Sequence, residues 1–129
     1  MYGVTTTLTG LSFDAALEKT TAALKAEGFG VLSDIDVQHA MKEKLGVDMP
    51  PYRILGACNP PLAHQALQAE LEIGLMLPCN VIVYEGDDGK AVVVAVDPTK
   101  TMAASGLPAL AALAETVKEK LARALSKLS

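Results

Sequence analysis

A short loop between two apolar runs is the feature that most restricts the fold of this 129-residue chain. The runs, 79–85 and 91–96, are rich in β-branched residues and flank Gly86-Asp87-Asp88-Gly89. Such a loop between two strand patterns predicts a β-hairpin. Because a hairpin pairs its strands antiparallel, the sheet that contains it must be antiparallel or mixed. With helices packed on one face of that sheet, the fold class is α+β.

The other periodic patterns predict three more strands and four helices. The strands are expected at 2–9, 29–36 and 52–58, where apolar and β-branched residues alternate. Helices are expected at 12–27, 37–45 and 60–72, and Ser105 is expected to cap a long C-terminal helix. The segment 74–78 is expected to be extended. We therefore predict a single domain over 1–129 with a five-stranded sheet and the element order β-α-β-(α)-β-α-β-β-α.

Charge and apolar patterning exclude two classes of partner. The net charge is −4, and an acidic surface repels phosphate backbones, so we expect no nucleic-acid partner. The longest apolar stretch, 71–84, is interrupted by Glu72, Pro78 and Asn80 and is too short to span a bilayer. The N-terminus lacks the basic start of a signal peptide. We expect a cytoplasmic protein with no membrane partner, in which a structural disulfide is not expected.

Both cysteines and both asparagines of the chain occur in the same dipeptide, Cys58-Asn59 and Cys79-Asn80. Each copy stands at the end of a strand pattern beside a proline. The helix between them would carry the chain outward by about 18 Å, at about 1.5 Å per residue. The extended tail would return it by about the same distance, at about 3.3 Å per residue. We therefore predict that Cys58, Asn59, Cys79 and Asn80 converge in a candidate ligand-binding site.

Three chemistries are open to such a site. A redox or thiol-dependent reaction needs a thiol of lowered pKa, and Cys58 is the better candidate because the helix that follows directs its amide end toward it. A metal site needs more ligands than two thiolates, and neither His39 nor His64 has a metal-binding spacing, so we predict no metal and no cofactor. The third option is a small ligand held by the amides of Asn59 and Asn80.

A purely structural role for the dipeptides is the alternative. Free cysteines are among the most buried residue types, and an asparagine before a helix often serves as its cap. Two functional hypotheses remain beside it. The preferred one is a homodimeric small-ligand-binding module, in which the strip 75–77 or the helix 107–128 packs against a second copy. The other is a thiol-dependent enzyme or redox protein that uses Cys58.

The region of the two dipeptides resembles a known family. The sequences ILGACNP at 54–60 and GLMLPCNVIVYE at 74–85 are similar to the family known as domain of unknown function 302. The resemblance implies a small α+β domain with a curved sheet and a long terminal helix, like TATA-box-binding-protein-like folds. The nucleic-acid role of that namesake is not implied, because fold alone does not fix function and this chain is acidic. The positions that match the family motif are Cys58, Asn59, Pro60, Pro78 and Cys79, and the resemblance assigns them no catalytic roles.

Overall fold

The computed structural model describes residues 2–128 and forms two layers, a sheet and a set of helices. Within that range the strands are β1 (Gly3–Leu8), β2 (Gly30–Asp36), β3 (Tyr52–Cys58), β4 (Cys79–Glu85) and β5 (Ala91–Val96). The α-helices are α1 (Phe13–Ala26), α2 (Val37–Leu45), α3 (Pro60–Ala69) and α4 (Pro108–Ser126). Short 3₁₀ helices occupy Leu71–Met76, Pro98–Lys100 and Met102–Ser105.

The strands form one antiparallel sheet in the order β1-β5-β4-β3-β2. The predicted hairpin joins β4 to β5, and its loop closes through a 2.8 Å hydrogen bond from the Gly86 N–H to the Lys90 carbonyl. Gly89 in this loop has a φ of 77°, a conformation that glycine adopts without strain. The α+β class, the antiparallel sheet and the predicted strand positions are confirmed.

Helices α1, α3 and α4 bury their apolar stripes on one side of the sheet. The larger hydrophobic cluster joins this sheet face to α1 and α4 through residues such as Leu24, Leu55, Val81 and Leu121. A smaller cluster joins α3 and α4 to the 3₁₀ helices; it consists of Ala66, Ile73, Met102, Leu110 and Ala114. The apolar stripe of α4 thus lies in the core of its own chain and is not available to a partner. Among residues 2–128, no helix has the length and apolar character required to cross a membrane.

The start of α4 differs from the prediction. Ser105 was the expected cap, but the helix begins at Pro108 with Leu107 at the N-cap position. Proline suits the first helical position because its φ is already helical and its missing N–H would have no partner there. Ser105 instead ends a 3₁₀ helix, and its Oγ accepts the Leu107 N–H at 3.2 Å.

The connection from α3 to β4 also differs from the prediction. Helix α3 ends at Ala69, not near 72, and the 3₁₀ helix Leu71–Met76 replaces the expected extended tail. The Glu70 side chain caps this helix by accepting the Glu72 N–H at 3.1 Å. Ile73 is 4% exposed and belongs to the smaller cluster. Burial of that side chain holds the segment, hereafter the 71–76 turn, against the core.

The second face of the sheet packs against none of these three helices. The strand register identifies the residues of this face. It pairs Tyr52 with Tyr84 and Ile54 with Ile82 across β3 and β4. The two tyrosine rings stack with their centroids 5.6 Å apart. The register places the following residues on the same face as these pairs, hereafter the open sheet face: Gly3, Thr5, Thr7, Gly30, Ser33, Ile35, Tyr52, Ile54, Gly56, Cys58, Asn80, Ile82, Tyr84, Val92, Val94 and Val96.

Candidate functional site

Strands β3 and β4 bring the two cysteines to one end of the sheet. The register places Cys79 opposite Ala57, the residue that precedes Cys58. Cross-strand Cα atoms lie about 5 Å apart and consecutive Cα atoms about 3.8 Å apart. The Cα atoms of Cys58 and Cys79 are therefore within about 9 Å of each other, and both residues are free thiols. The two cysteines thus lie at the same end of the sheet, although the chain returns by a 3₁₀ helix.

A cavity of about 320 Å³ opens beside the two cysteines, between the sheet end, α3, the 71–76 turn and α4. We call it the cysteine cavity. It is lined by Phe29, Leu32, Ala57, Cys58, Asn59, Leu62, Ala63, Leu67, Gly74, Leu77, Pro78, Cys79, Met102 and Val117. No charged side chain is found among these described residues. Cys58, Asn59 and Cys79 are the polar members of an otherwise apolar wall.

The cysteine cavity lies between the two hydrophobic clusters. Phe29 and Val117 reach it from the larger cluster, and Leu67 and Met102 reach it from the smaller one. The hairpin packs on the larger cluster and α3 packs on the smaller one. Neither contact fills the space between the two clusters. The cavity is therefore a product of how the two clusters meet.

The two thiols have different environments. Cys79 is 7% exposed, and this burial, with a smaller contribution from the charge of a neighbouring Cys58 thiolate, raises the pKa of Cys79 to about 11. At neutral pH Cys79 is therefore protonated and a poor nucleophile. Cys58 is only half-buried. Of the two, Cys58 is the thiol that a reagent or ligand can reach.

Asn59 has a different role from the cap predicted for it. It occupies the N-cap position of α3, but its side chain makes no capping hydrogen bond. Instead its Nδ2 donates to the carbonyl oxygen of Glu27 at 3.4 Å. Pro60 and Pro61 contribute to this, because they have no N–H groups and leave only the Leu62 N–H within reach of a capping side chain. Asn59 thus fastens the wall of the cysteine cavity to the end of α1.

Asn80 is not brought to the cavity. It pairs with Gly56 in the register and lies on the open sheet face, where it is exposed. Successive residues of a strand point to opposite faces, so Asn80 and Cys79 point apart. The structure therefore gathers Cys58, Asn59 and Cys79 and leaves Asn80 elsewhere.

Several residues of the cavity wall were not identified from the sequence. Leu62, Ala63 and Leu67 share one face of α3, and their helical spacing is a signal that could have shown a common apolar surface. Met102 gave no such signal, because its position depends on the packing of a 3₁₀ helix. In the part of the chain that the structure describes, no three or more His, Cys, Asp or Glu side chains are grouped so as to hold a metal ion.

Comparison with known proteins adds the family. The model described as "Domain of unknown function DUF302" matches residues 4–128. The chain belongs to the DUF302 family. This DUF302 chain is also similar to a solved structure, the crystal structure of the uncharacterized conserved protein DUF302 from Bacillus stearothermophilus. The two are 32% identical, the match covers 100% of this chain and 99% of that chain, and the TM-score is 0.91. The comparison with curated proteins found no match.

Proposed function

We propose that this DUF302 protein binds a small, uncharged and largely apolar ligand in the cysteine cavity. The observation that supports this is the cavity itself, about 320 Å³ with an almost wholly apolar wall. Ligand pockets in proteins have volumes of about 300–1,000 Å³ and combine apolar walls with a few polar groups. Cys58 and Asn59 supply those polar groups.

The size and charge of the cavity restrict the ligand. At about 30 Å³ for each water-sized group, the space holds roughly ten non-hydrogen atoms. A charged ligand would lose its hydration without gaining an ionic partner, because the described wall carries no charged side chain. The ligand is therefore neutral. Leu32, which is 71% exposed and also lines the cavity, provides apolar surface at its mouth.

Filling the cavity tests this proposal. Ala63 is half-buried and lines the cavity, so Ala63→Leu places extra carbon atoms inside it. Ala111 is exposed on α4 and is absent from the cavity wall, so Ala111→Leu is a matched control. Saturation-transfer NMR with indole, a neutral molecule of about the right size, measures binding. We expect transfer with the wild type and Ala111→Leu and at least a several-fold loss with Ala63→Leu. Equal transfer in all three proteins, or none with the wild type, would overturn the proposal.

We also propose that the protein is a cytoplasmic homodimer, each copy a single domain over 1–129, with no metal or cofactor. Support for self-association comes from large apolar side chains that are exposed on more than one surface, among them Ile35 at 51% on the open sheet face and Leu75 at 85% on the 71–76 turn. Exposed apolar surface of this kind marks interaction sites in many proteins. Light scattering coupled to size exclusion, at tens of micromolar, gives the mass directly. A monomer mass would remove this part of the proposal.

A thiol-dependent activity of Cys58 is the second candidate. It is supported by one observation: a half-buried thiol stands in the wall of a cavity large enough for a substrate. A reactive thiol is alkylated at neutral pH much faster than a free cysteine, because more of it is thiolate. Iodoacetamide labelling of Cys79→Ala, in which Cys58 is the sole cysteine, measures that rate. Labelling no faster than that of free cysteine would exclude this candidate.

A further inference from the structure

We infer that the homodimer forms through the open sheet face, with a second copy of this chain packing its own open sheet face on the first. The inference rests on the proposed self-association and adds the surface that carries it. Two such sheets would pack face to face at a separation of about 10 Å. A twofold axis through the interface needs only this single patch from each copy.

The absence of charge on this face is the first argument. Charged residues make up 20% of the chain, yet none of the described open-face residues is charged. Each copy has a net charge of −4, so an approach through charged surface can bring carboxylates of the two copies together. Like charges that meet across an interface cost several kcal/mol. The open sheet face allows two identical acidic molecules to meet without that cost.

The distribution of residues within the face is the second argument. The central strands carry Ile54, Ile82, Val92 and Val94 with one strongly polar side chain, Asn80, whereas the edge strands carry the polar Thr5, Thr7 and Ser33 with one large apolar side chain, Ile35. Protein interfaces likewise have an apolar centre and a polar rim. The stacked pair of Tyr52 and Tyr84 adds aromatic rings, the residue type that most often contributes large binding energies.

The area of the face is the third argument. Five strands spaced at about 4.8 Å, each with about six residues of 3.3 Å, cover roughly 480 Å². Counted on both copies, this area reaches the roughly 1,000 Å² that a specific interface needs.

The 71–76 turn is a weaker candidate for the same role. Leu75 is highly exposed, but the turn is flanked by Glu70 and contains Glu72. Two copies that met here would place four carboxylates near one another. The open sheet face is therefore the surface that best fits a second copy.

New charges on each surface provide the test. Val94→Lys and Asn80→Lys place an ammonium group on the open sheet face, and Leu75→Lys places one on the 71–76 turn. Light scattering at tens of micromolar reports the mass, and circular dichroism reports folding. We expect dimer mass for the wild type and Leu75→Lys, and half that mass for both open-face variants. Because Asn80 is exposed, Asn80→Lys is a valid test even where Val94→Lys does not fold.

The other outcomes separate the two proposals. A wild-type dimer whose mass is unchanged in folded Asn80→Lys and Val94→Lys overturns the open sheet face and leaves self-association standing. A dimer lost only in Leu75→Lys assigns the interface to the 71–76 turn. A monomeric wild type overturns both self-association and its surface, while indole binding in the cysteine cavity is tested independently.

Discussion

The side-chain amide of Asn59 donates to the backbone carbonyl oxygen of Glu27 and so joins the start of α3 to the end of α1. The carboxylate of the same Glu27 accepts hydrogen bonds from Arg123 Nε at 3.0 Å and Lys127 Nζ at 3.1 Å, both on or just after α4. Helices α1, α3 and α4 are thus joined at one residue. This arrangement makes Glu27 a good position at which to test the helical layer.

Replacement of Glu27 by Gln should destabilise the protein at neutral pH and not in acid. Hydrogen bonds from Lys127 and then Arg123 lower the pKa of Glu27 below its ordinary value of 4.5. A lowered pKa adds stability above the unfolded-state pKa, and that stability is lost as the pH falls through the folded-state value. Urea unfolding should therefore show a deficit for Glu27→Gln at pH 7 that narrows below pH 4.5. Glu119→Gln, at an exposed position of α4, is the control and should match the wild type; an equal deficit at both pH values would contradict the assignment.

Cys79 should make the protein sensitive to alkali. Burial raises the pKa of Cys79 from 9.0 to about 11, so the folded state keeps a proton that the unfolded state loses. Stability is then fully present below pH 9 and falls between pH 9 and about 11. The loss is at most about 3 kcal/mol, since one pKa unit corresponds to about 1.4 kcal/mol. Unfolding free energies measured across this range should fall less steeply for Cys79→Ala than for the wild type, and Cys58→Ala should change the slope less than Cys79→Ala, because Cys58 makes only the smaller contribution to the raised pKa of Cys79. Identical slopes for Cys79→Ala and the wild type would refute this effect.

Gly56→Ala should destabilise the sheet next to the cavity. A Cβ atom at Gly56 would collide with the Oγ of Ser33 on β2 and with the ring of Pro78. Overpacking of this kind costs about 1–3 kcal/mol. Gly30, also on a strand, has nothing within 4 Å of such a Cβ, so Gly30→Ala serves as the control. Thermal unfolding should show a lower Tm for Gly56→Ala alone, and equal effects at both positions would contradict the close approach.

Loss of the Thr20 hydroxyl should change the free energy of unfolding little, whereas loss of its methyl group should lower it. Thr20 is fully buried, and its Oγ1 donates to the Ala16 carbonyl oxygen of the same helix at 2.7 Å. Thr20→Val keeps the shape and removes only this donor, so we expect a change within about 0.5 kcal/mol. Thr20→Ser removes a buried methyl group and should cost about 1 kcal/mol. Chemical denaturation of both variants measures the two values, and a larger loss for Thr20→Val would reverse this ranking.

Most helices and strands are determined by residues close together in the sequence, and for that reason they could be predicted from it. Gly28 and Gly46 adopt positive φ values where α1 and α2 end, and alternating residues mark each strand. The predictions failed where packing decides: the 71–76 turn is helical because Ile73 is drawn into the core. The sequence pointed to Cys58, Asn59 and Cys79, which line the cysteine cavity, but the rest of the cavity was outside its reach for the same reason. Its position between Cys58 and Met102 depends on how separate elements meet, and no local pattern encodes that.

The regions on the two sides of the gap between the hydrophobic clusters should also differ in their free energy of local unfolding. Helix α3 and the 71–76 turn rest on the smaller cluster, which buries less apolar surface than the cluster beneath the central strands. Regions with less buried surface open at lower free energy than the rest of a protein. Amide hydrogens of α3 should thus exchange with solvent earlier than those of β4 and β5. For the ligand binding proposed above, this local opening would provide a route into the cysteine cavity while the central strands stay folded.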